Sequence, residues 1–253
     1  MQKLEIDKNT AGKIISTVGQ SGIPPEYGAS LFSVGLDKYL KTLNDEYLSS
    51  FIKNGGSAFK MVVGIYGGGK THFLYNVRDL AWQNNYAVSY ISLSPNNCPF
   101  YQIDMVYKAI VRGLTFPLTP EELLSGYETG IVPFIQSWFS TKYQEYKSKF
   151  NEEEKTIEML KNHLQSIGNL ESISFANAVK SAFRALMNKK EDDFYSICQW
   201  LLGEKYEKSI HSRFEIVQRI DRSTALSMIR SLVKWIKEIG YAGLIILMDE
   251  AER

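Results

Sequence analysis

Apolar residues recur at intervals of three and four in two stretches of the chain, a spacing that predicts amphipathic helices. The first stretch runs from Leu36 to about Ile52 and ends at Asn54-Gly55-Gly56, which stops a helix. The second runs from about Ser223 to Ile239, where Gly240 follows. A further helix is predicted over roughly Tyr101 to Leu114.

Three segments rich in β-branched, aliphatic and aromatic residues predict strands. They are Ala58–Tyr66, Tyr86–Leu93 and the continuous apolar run Leu244–Met248, which fits a strand buried on both faces. The first two alternate with helical patterns, as in an α/β protein. Beyond Pro117 the pattern is helical for about a hundred residues, with charges of alternating sign that are typical of a solvated helix face.

Composition narrows the class of protein. The 253 residues are 44% hydrophobic and 23% charged, which indicates a globular chain. No apolar run approaches the ~20 residues of a spanning helix, and the N-terminus lacks a secretion signal, so we expect a soluble cytoplasmic protein without a membrane partner. The net charge of +1 leaves DNA binding open without supporting it. Cys98 and Cys198 lack metal-type spacing.

A glycine-rich motif carries the strongest chemical signal. Gly64-Ile65-Tyr66-Gly67-Gly68-Gly69-Lys70-Thr71 matches G-x-x-x-x-G-K-[ST] between a predicted strand and a predicted helix. In such a loop, backbone N–H groups surround phosphate oxygens at the positive end of the helix. We expect Lys70 to reach the β- and γ-phosphates of ATP, and Thr71 to ligate Mg²⁺. A turn that merely joins two elements would not need this lysine and threonine.

A second signal is the apolar run that ends in Asp249-Glu250. Asp249 is the expected Mg²⁺ ligand, through water, and Glu250 is the expected catalytic general base that polarises an attacking water. Lys70 is the other expected catalytic residue. An apolar run with two acids is weak on its own, but it gains weight beside the glycine loop.

The sequence resembles the P-loop ATPases of the AAA+ and origin-recognition-like kind, and more closely the ATP-binding domain family of BREX phage-defence systems. The resemblance rests on the following motifs, few of which P-loops in general require: Ser21-Gly22-Ile23-Pro24-Pro25, Leu31-Phe32-Ser33-Val34-Gly35, Gly55-Gly56-Ser57-Ala58-Phe59-Lys60, Ser92-Leu93-Ser94-Pro95 and Arg219-Ile220-Asp221.

This resemblance implies a cytoplasmic bacterial or archaeal ATPase that works in a multi-protein defence assembly. It implies that Ile23, Pro24 and Val34 grip the adenine base. His72, which directly follows the loop, is a further candidate nucleotide contact, and packing of the first helical turn is the alternative interpretation of this residue. Other defence-system proteins or further copies of the chain are the expected partners.

The expected fold is α/β, a P-loop NTPase with a three-layer α/β/α parallel sheet, incomplete at the C-terminus and carrying a large all-helical insertion. We expect an N-terminal helical arm with the adenine-gripping segment over 1–57 and P-loop core over 58–116 and 223–253. Residues 117–222 form the insertion. Because Arg253 lies just beyond Glu250, we read the chain as the N-terminal part of a longer protein that hydrolyses ATP poorly alone.

Two function classes remain open. The first is an ATPase that couples hydrolysis to conformational change in a defence assembly. The second is a nucleotide-gated scaffold that binds ATP and partners with negligible turnover, for which Asp249 matters and Glu250 does not. A small-molecule kinase is a poorer third option. A kinase would need a pocket for the acceptor and an arginine-bearing lid, whereas the adjacent Asp-Glu pair better suits activation of a water molecule.

Overall fold

The computed structural model describes residues 8–21, 25–119, 122–123, 126–168, 170–204 and 206–251, and these form two compact units. Unit 1 contains the described residues up to Tyr86 together with those of Pro117–Tyr127. Unit 2 contains Ala87–Phe116 and the described residues from Glu128 onward. Every strand within the described ranges belongs to unit 2.

Unit 1 is helical. It contains α1 (Lys8–Ser21), a 3₁₀ helix (Ala29–Phe32), α2 (Asp37–Thr42) with a π-helical continuation (Leu43–Phe51), and α3 (Lys70–Gln83). The helix predicted over 36–52 is therefore present, as α2 and its π-helical continuation. Hydrogen bonds attach this helix to the end of α3: Tyr86 donates to the Leu48 carbonyl at 2.6 Å, and the Asn84 amide donates to the Asn44 side-chain oxygen at 2.9 Å.

The prediction of a strand at Ala58–Tyr66 is wrong. Residues 57–65 have no regular secondary structure and Tyr66 begins a turn; all ten residues are exposed, with Val63 86% and Tyr66 95% accessible. The apolar pattern alone predicted a strand, but a strand also needs a neighbour to receive its backbone hydrogen bonds. No strand in the described part of the chain pairs with this segment.

Unit 2 is built on a three-stranded sheet of order β2-β1-β3, in which β1 is Ala87–Ser92, β2 is Leu114–Thr115 and β3 is Leu244–Asp249. Strands β1 and β3 are parallel, and their register pairs Ala87 with Leu244 and Ser92 with Asp249. The strand predictions at 86–93 and 244–248 are therefore confirmed. The prediction that the second of these strands is buried on both faces is wrong, because β3 lies at an edge of the described sheet and only its Leu247 is buried.

The sheet is mixed, so the prediction of a parallel sheet is wrong for β2, which runs antiparallel to β1. Helix α4 (Ile103–Arg112) leads into β2 through a single residue, Gly113, whose carbonyl accepts the Tyr90 N–H at 3.3 Å. A Cβ at Gly113 would lie 2.4 Å from the Tyr90 carbonyl oxygen, so only glycine allows this close approach. The chain thus turns directly onto the edge of β1.

The remaining helices of unit 2 are α5 (Ile131–Phe150), α6 (Glu153–Ser166), α7 (Ile173–Met187), α8 (Glu191–Leu201), α9 (Lys208–His211), a 3₁₀ helix (Ser212–Phe214) and α10 (Ala225–Glu238). Helices α4 and α10 pack on each other and on β1 and β3, respectively. Trp235 of α10 is fully buried, and its ring lies 5.8 Å from Phe134 of α5 and 6.4 Å from Phe183 of α7. The helices between β2 and α10 therefore share one apolar core with the sheet.

The sequence Arg219-Ile220-Asp221 begins the turn that leads into α10. The Asp221 carboxylate accepts the Ser223 backbone N–H at 2.9 Å and the Ser223 hydroxyl at 2.6 Å, while Arg219 lies 2.8 Å from its other oxygen. Hydrogen bonds from Ser223, followed by that from Arg219, lower the pKa of Asp221 to about 2. This motif therefore has a local structural role at the start of a core helix.

Candidate functional site

The glycine loop lies in unit 1 and turns directly into α3. Residues 64–69 are exposed, and Gly67 and Gly69 have φ angles of +73° and +78°, in the left-handed region that glycine adopts without strain. Gly69 is the N-terminal cap of α3, which starts at Lys70. The positive end of the helix dipole therefore adjoins the loop, and both features suit an anionic ligand.

Lys70 lies over the loop. Its ammonium donates to the carbonyl oxygens of Gly64 and Ile65, each at 3.1 Å. These neutral acceptors are weaker partners for an ammonium than phosphate oxygens, so the charge can move from the carbonyls to a bound phosphate. Thr71 is partly buried in the first turn of α3. The donor set of the loop thus fits a polyphosphate.

A polar cluster joins the segment before α2 to the first two turns of α3. The Ser33 hydroxyl lies 2.7 Å from Nε2 of His72, 3.0 Å from Oδ1 of Asn76 and 2.8 Å from the Ala29 carbonyl. The His72 ring also packs against the Phe32 ring, with centroids 4.9 Å apart. Burial lowers the pKa of His72 from its ordinary value of 6.5. His72 thus contacts protein side chains that the glycine motif did not indicate.

The expected adenine contacts are only partly visible. Ile23 and Pro24 lie outside the described residues, whereas Val34 is 91% exposed.

A second contact holds the segment before α2 against α3. The buried Arg78 of α3 donates to the Glu26 carbonyl, and its guanidinium lies 3.5 Å from the Glu26 carboxylate. The segment from Glu26 to Ser33 is therefore attached to α3 at two levels.

The acid pair lies at the carboxyl end of β3, in unit 2. The Tyr90 hydroxyl donates to Oδ2 of Asp249 at 2.6 Å, and the Glu250 N–H donates to Oδ1 of Asp249 at 2.9 Å. Ser92 donates a hydrogen bond to the Glu250 carboxylate. Glu250 has a φ of +58°, which is strained for a residue with a side chain and occurs often at functional sites. Two hydroxyls of β1 thus orient the two carboxylates.

Sequence reasoning did not assign Tyr90 and Ser92 a role beside the acids. Strand alternation could have indicated them, because residues 90 and 92 share a face of β1 near its carboxyl end. The missing information was the pairing of β1 with β3, which aligns Ser92 with Asp249.

In the described ranges, no group of three or more His, Cys, Asp or Glu side chains is arranged to hold a metal ion, either at the glycine loop or at the acid pair. The Thr71 hydroxyl in unit 1 and the Asp249 carboxylate in unit 2 are each oxygen groups of the kind that Mg²⁺ prefers. Within those same ranges, no helix combines the length and apolar character needed to cross a membrane.

A glycine-rich loop at a helix N-terminus and a strand tipped with two acids are both features of ATP-binding α/β proteins. Comparison with known families identifies the group. The model of the BREX system ATP-binding protein BrxC/D matches residues 6–253, and the chain belongs to this family. The resemblance to BREX proteins is therefore confirmed. No curated protein and no solved structure gave a significant match.

Proposed function

We propose that this chain binds ATP through the glycine loop and hydrolyses it, with Mg²⁺, as a subunit of a phage-defence assembly. The hydrolysis couples the nucleotide state to conformational change and to contacts with partner proteins. The observation that carries the proposal is the geometry at Gly67, Gly69 and Lys70, where two left-handed glycines lead into a helix N-terminus beside an ammonium.

Each residue of the loop has a defined task in this proposal. The backbone from Gly64 to Gly69 surrounds the phosphates. Glycine is needed at positions 67 and 69 because a residue with a side chain would be strained at their φ angles. Lys70 neutralises the β- and γ-phosphate charge, and Thr71 offers its hydroxyl to the metal. Adenine contacts from Ile23, Pro24 and Val34 remain part of the proposal, and His72 belongs to the same nucleotide-binding region.

The acid pair supplies the hydrolytic chemistry. Asp249 would hold Mg²⁺ through water. Glu250 accepts a proton from the water that attacks the γ-phosphorus, while the bond from that phosphorus to the bridging oxygen breaks and ADP leaves. Bound Mg²⁺ would neutralise phosphate charge and orient the phosphate oxygens. The hydrogen bonds from Tyr90 and Ser92 support these roles, because they limit the rotation of both carboxylates.

Binding is tested by titrating a fluorescent ATP analogue into the Lys70→Ala variant. We expect affinity to fall at least about a hundredfold, because an ammonium that faces phosphate oxygens is removed. Lys53→Ala is the matched control, since Lys53 is an exposed lysine of the same unit outside the loop. Equal affinity of Lys70→Ala and the unchanged chain would refute the proposed site.

Hydrolysis is tested separately with Glu250→Gln in the full chain. If Glu250 is the base, phosphate release should fall about a hundredfold while ATP binding is preserved. Glu158→Gln, at an exposed position of α6, should change neither. Under the scaffold alternative Asp249 matters and Glu250 does not, so Glu250→Gln would leave both ATP binding and the absence of turnover unchanged. Negligible release before any mutation would decide for the scaffold.

A further inference from the structure

The segment from Glu26 to Ser33 and the phosphate loop are attached to the same helix. Ser33 meets His72 and Asn76 in the first two turns of α3, and Glu26 meets Arg78 one turn further on. His72 directly follows Thr71, so this attachment begins one residue after the loop motif. Movement of the loop and movement of the segment are therefore mechanically linked.

The donors and acceptors in the Ser33–His72–Asn76 cluster can be assigned from the number of protons that each group carries. The Asn76 amide nitrogen donates to the His72 carbonyl at 2.8 Å, which leaves Oδ1 of Asn76 facing Ser33 as an acceptor. Ser33 has one proton, and both the Ala29 carbonyl and Oδ1 of Asn76 can only accept. Nδ1 of His72 is buried without a hydrogen-bond partner among the described residues, so the tautomer that leaves no unpaired N–H is the one in which Nε2–H donates to the Ser33 oxygen. Neutral His72 in this tautomer is thus the donor that holds the segment.

The segment carries apolar surface beside this point. Phe32 is 42% exposed although its ring packs on His72, and Val34 is 91% exposed. A nucleoside triphosphate extends well beyond a phosphate loop, and its base is a flat apolar surface that stacks on aromatic and aliphatic side chains. Phe32 and Val34 provide such a surface, and the cluster sets its position relative to α3.

We propose that His72, Ser33 and Asn76 are positioning residues that fix the nucleoside-binding surface of Phe32 and Val34 against the helix of the phosphate loop. This inference rests on the proposed ATP binding and deepens it. The cluster itself does not touch phosphate. It raises the affinity for nucleotides that carry a nucleoside, with no effect on the phosphate tail alone.

The test compares ATP with inorganic tripolyphosphate, which carries the phosphates without a nucleoside, by competition against a fluorescent ATP analogue. Ser33→Ala and His72→Leu should each weaken ATP about fivefold, the effect of one hydrogen bond, and leave tripolyphosphate unchanged. Ser33→Thr and His72→Gln keep a hydroxyl and an N–H donor, and they should restore most of the difference.

Three outcomes are distinguishable. A selective loss of ATP affinity with rescue by the conservative variants supports the positioning role. An unchanged ratio of the two affinities, or an equal loss of both, overturns it while leaving the phosphate site intact. Failure of tripolyphosphate to compete in the unchanged chain, together with normal ATP binding by Lys70→Ala, would instead overturn the proposed function on which the inference rests.

Discussion

The two units differ in how far their stability rests on buried apolar side chains. Unit 2 has a continuous apolar cluster that includes Phe134, Phe183 and Trp235, all fully buried. The described residues of unit 1 place two polar side chains, Asn76 and Arg78, at only 3% exposure on the helix of the phosphate loop. Unit 2 is stabilised chiefly by hydrophobic burial, which is not directional, whereas the described part of unit 1 buries far fewer apolar side chains and therefore depends more on the oriented contacts of Asn76 and Arg78. The candidate phosphate loop thus belongs to the unit whose geometry is set by hydrogen bonds.

The largest expected effect lies in the apolar core. Trp235→Ala should lower the free energy of unfolding by about 4 kcal/mol, because it removes a large, fully buried ring and leaves a cavity beside Phe134 and Phe183. Urea denaturation followed by circular dichroism measures the change. Leu226→Ala, at a 48% exposed position on the same helix, should cost less than about 1 kcal/mol. Similar losses from both variants would show that α10 contributes little through burial.

A smaller loss of stability is expected when Arg78, the buried arginine of unit 1, is replaced. Burial raises the pKa of Asp79, and the charge and hydrogen bond of Arg78 oppose this shift. Arg78→Leu should therefore raise the pKa of Asp79 further and cost about 2 kcal/mol, since it also breaks the contacts with Glu26. Denaturation provides the measurement. Arg230→Leu removes an exposed ion pair with Glu171 and should cost less than about 1 kcal/mol. An equal cost for the two arginines would contradict the contrast between directed and non-directed stabilisation.

The smallest effect should appear in turnover alone. Ser92→Ala removes the hydroxyl that orients the Glu250 carboxylate, so we expect kcat for ATP to fall about fivefold with KM unchanged. Ser92→Thr retains a hydroxyl and should recover most of the rate. A steady-state phosphate-release assay separates kcat from KM. Loss of ATP affinity in Ser92→Ala would assign this residue to binding rather than to positioning of the acid.

The sequence predicted the helices and strands in which apolar residues recur at a regular spacing. Helix α10 and strands β1 and β3 have sustained apolar periodicity, and they occur where the sequence indicates. The segment Ala58–Tyr66 has a comparable apolar pattern yet is not a strand, because strand formation depends on a partner that the segment itself does not encode. The antiparallel β2, only two residues long, is too short to carry a pattern.

The same distinction applies to the candidate site. The glycine loop was predictable because its backbone requirements and its lysine occupy eight consecutive positions. The hydroxyls that orient the acids were not, because Tyr90 and Asp249 are 159 positions apart and meet only through strand pairing. The contact of Ser33 with His72 likewise spans 39 positions.

The parallel pairing of β1 with β3 has a consequence for the order of folding. Two strands so distant in sequence can meet only after the intervening chain has lost most of its freedom, since closure of a long loop is entropically costly. The helices of unit 2 have local contacts that form early, whereas contacts of high sequence separation slow the search for the native state. We therefore expect the carboxylates of Asp249 and Glu250 to acquire their hydroxyl partners late in folding, after the helical core has condensed.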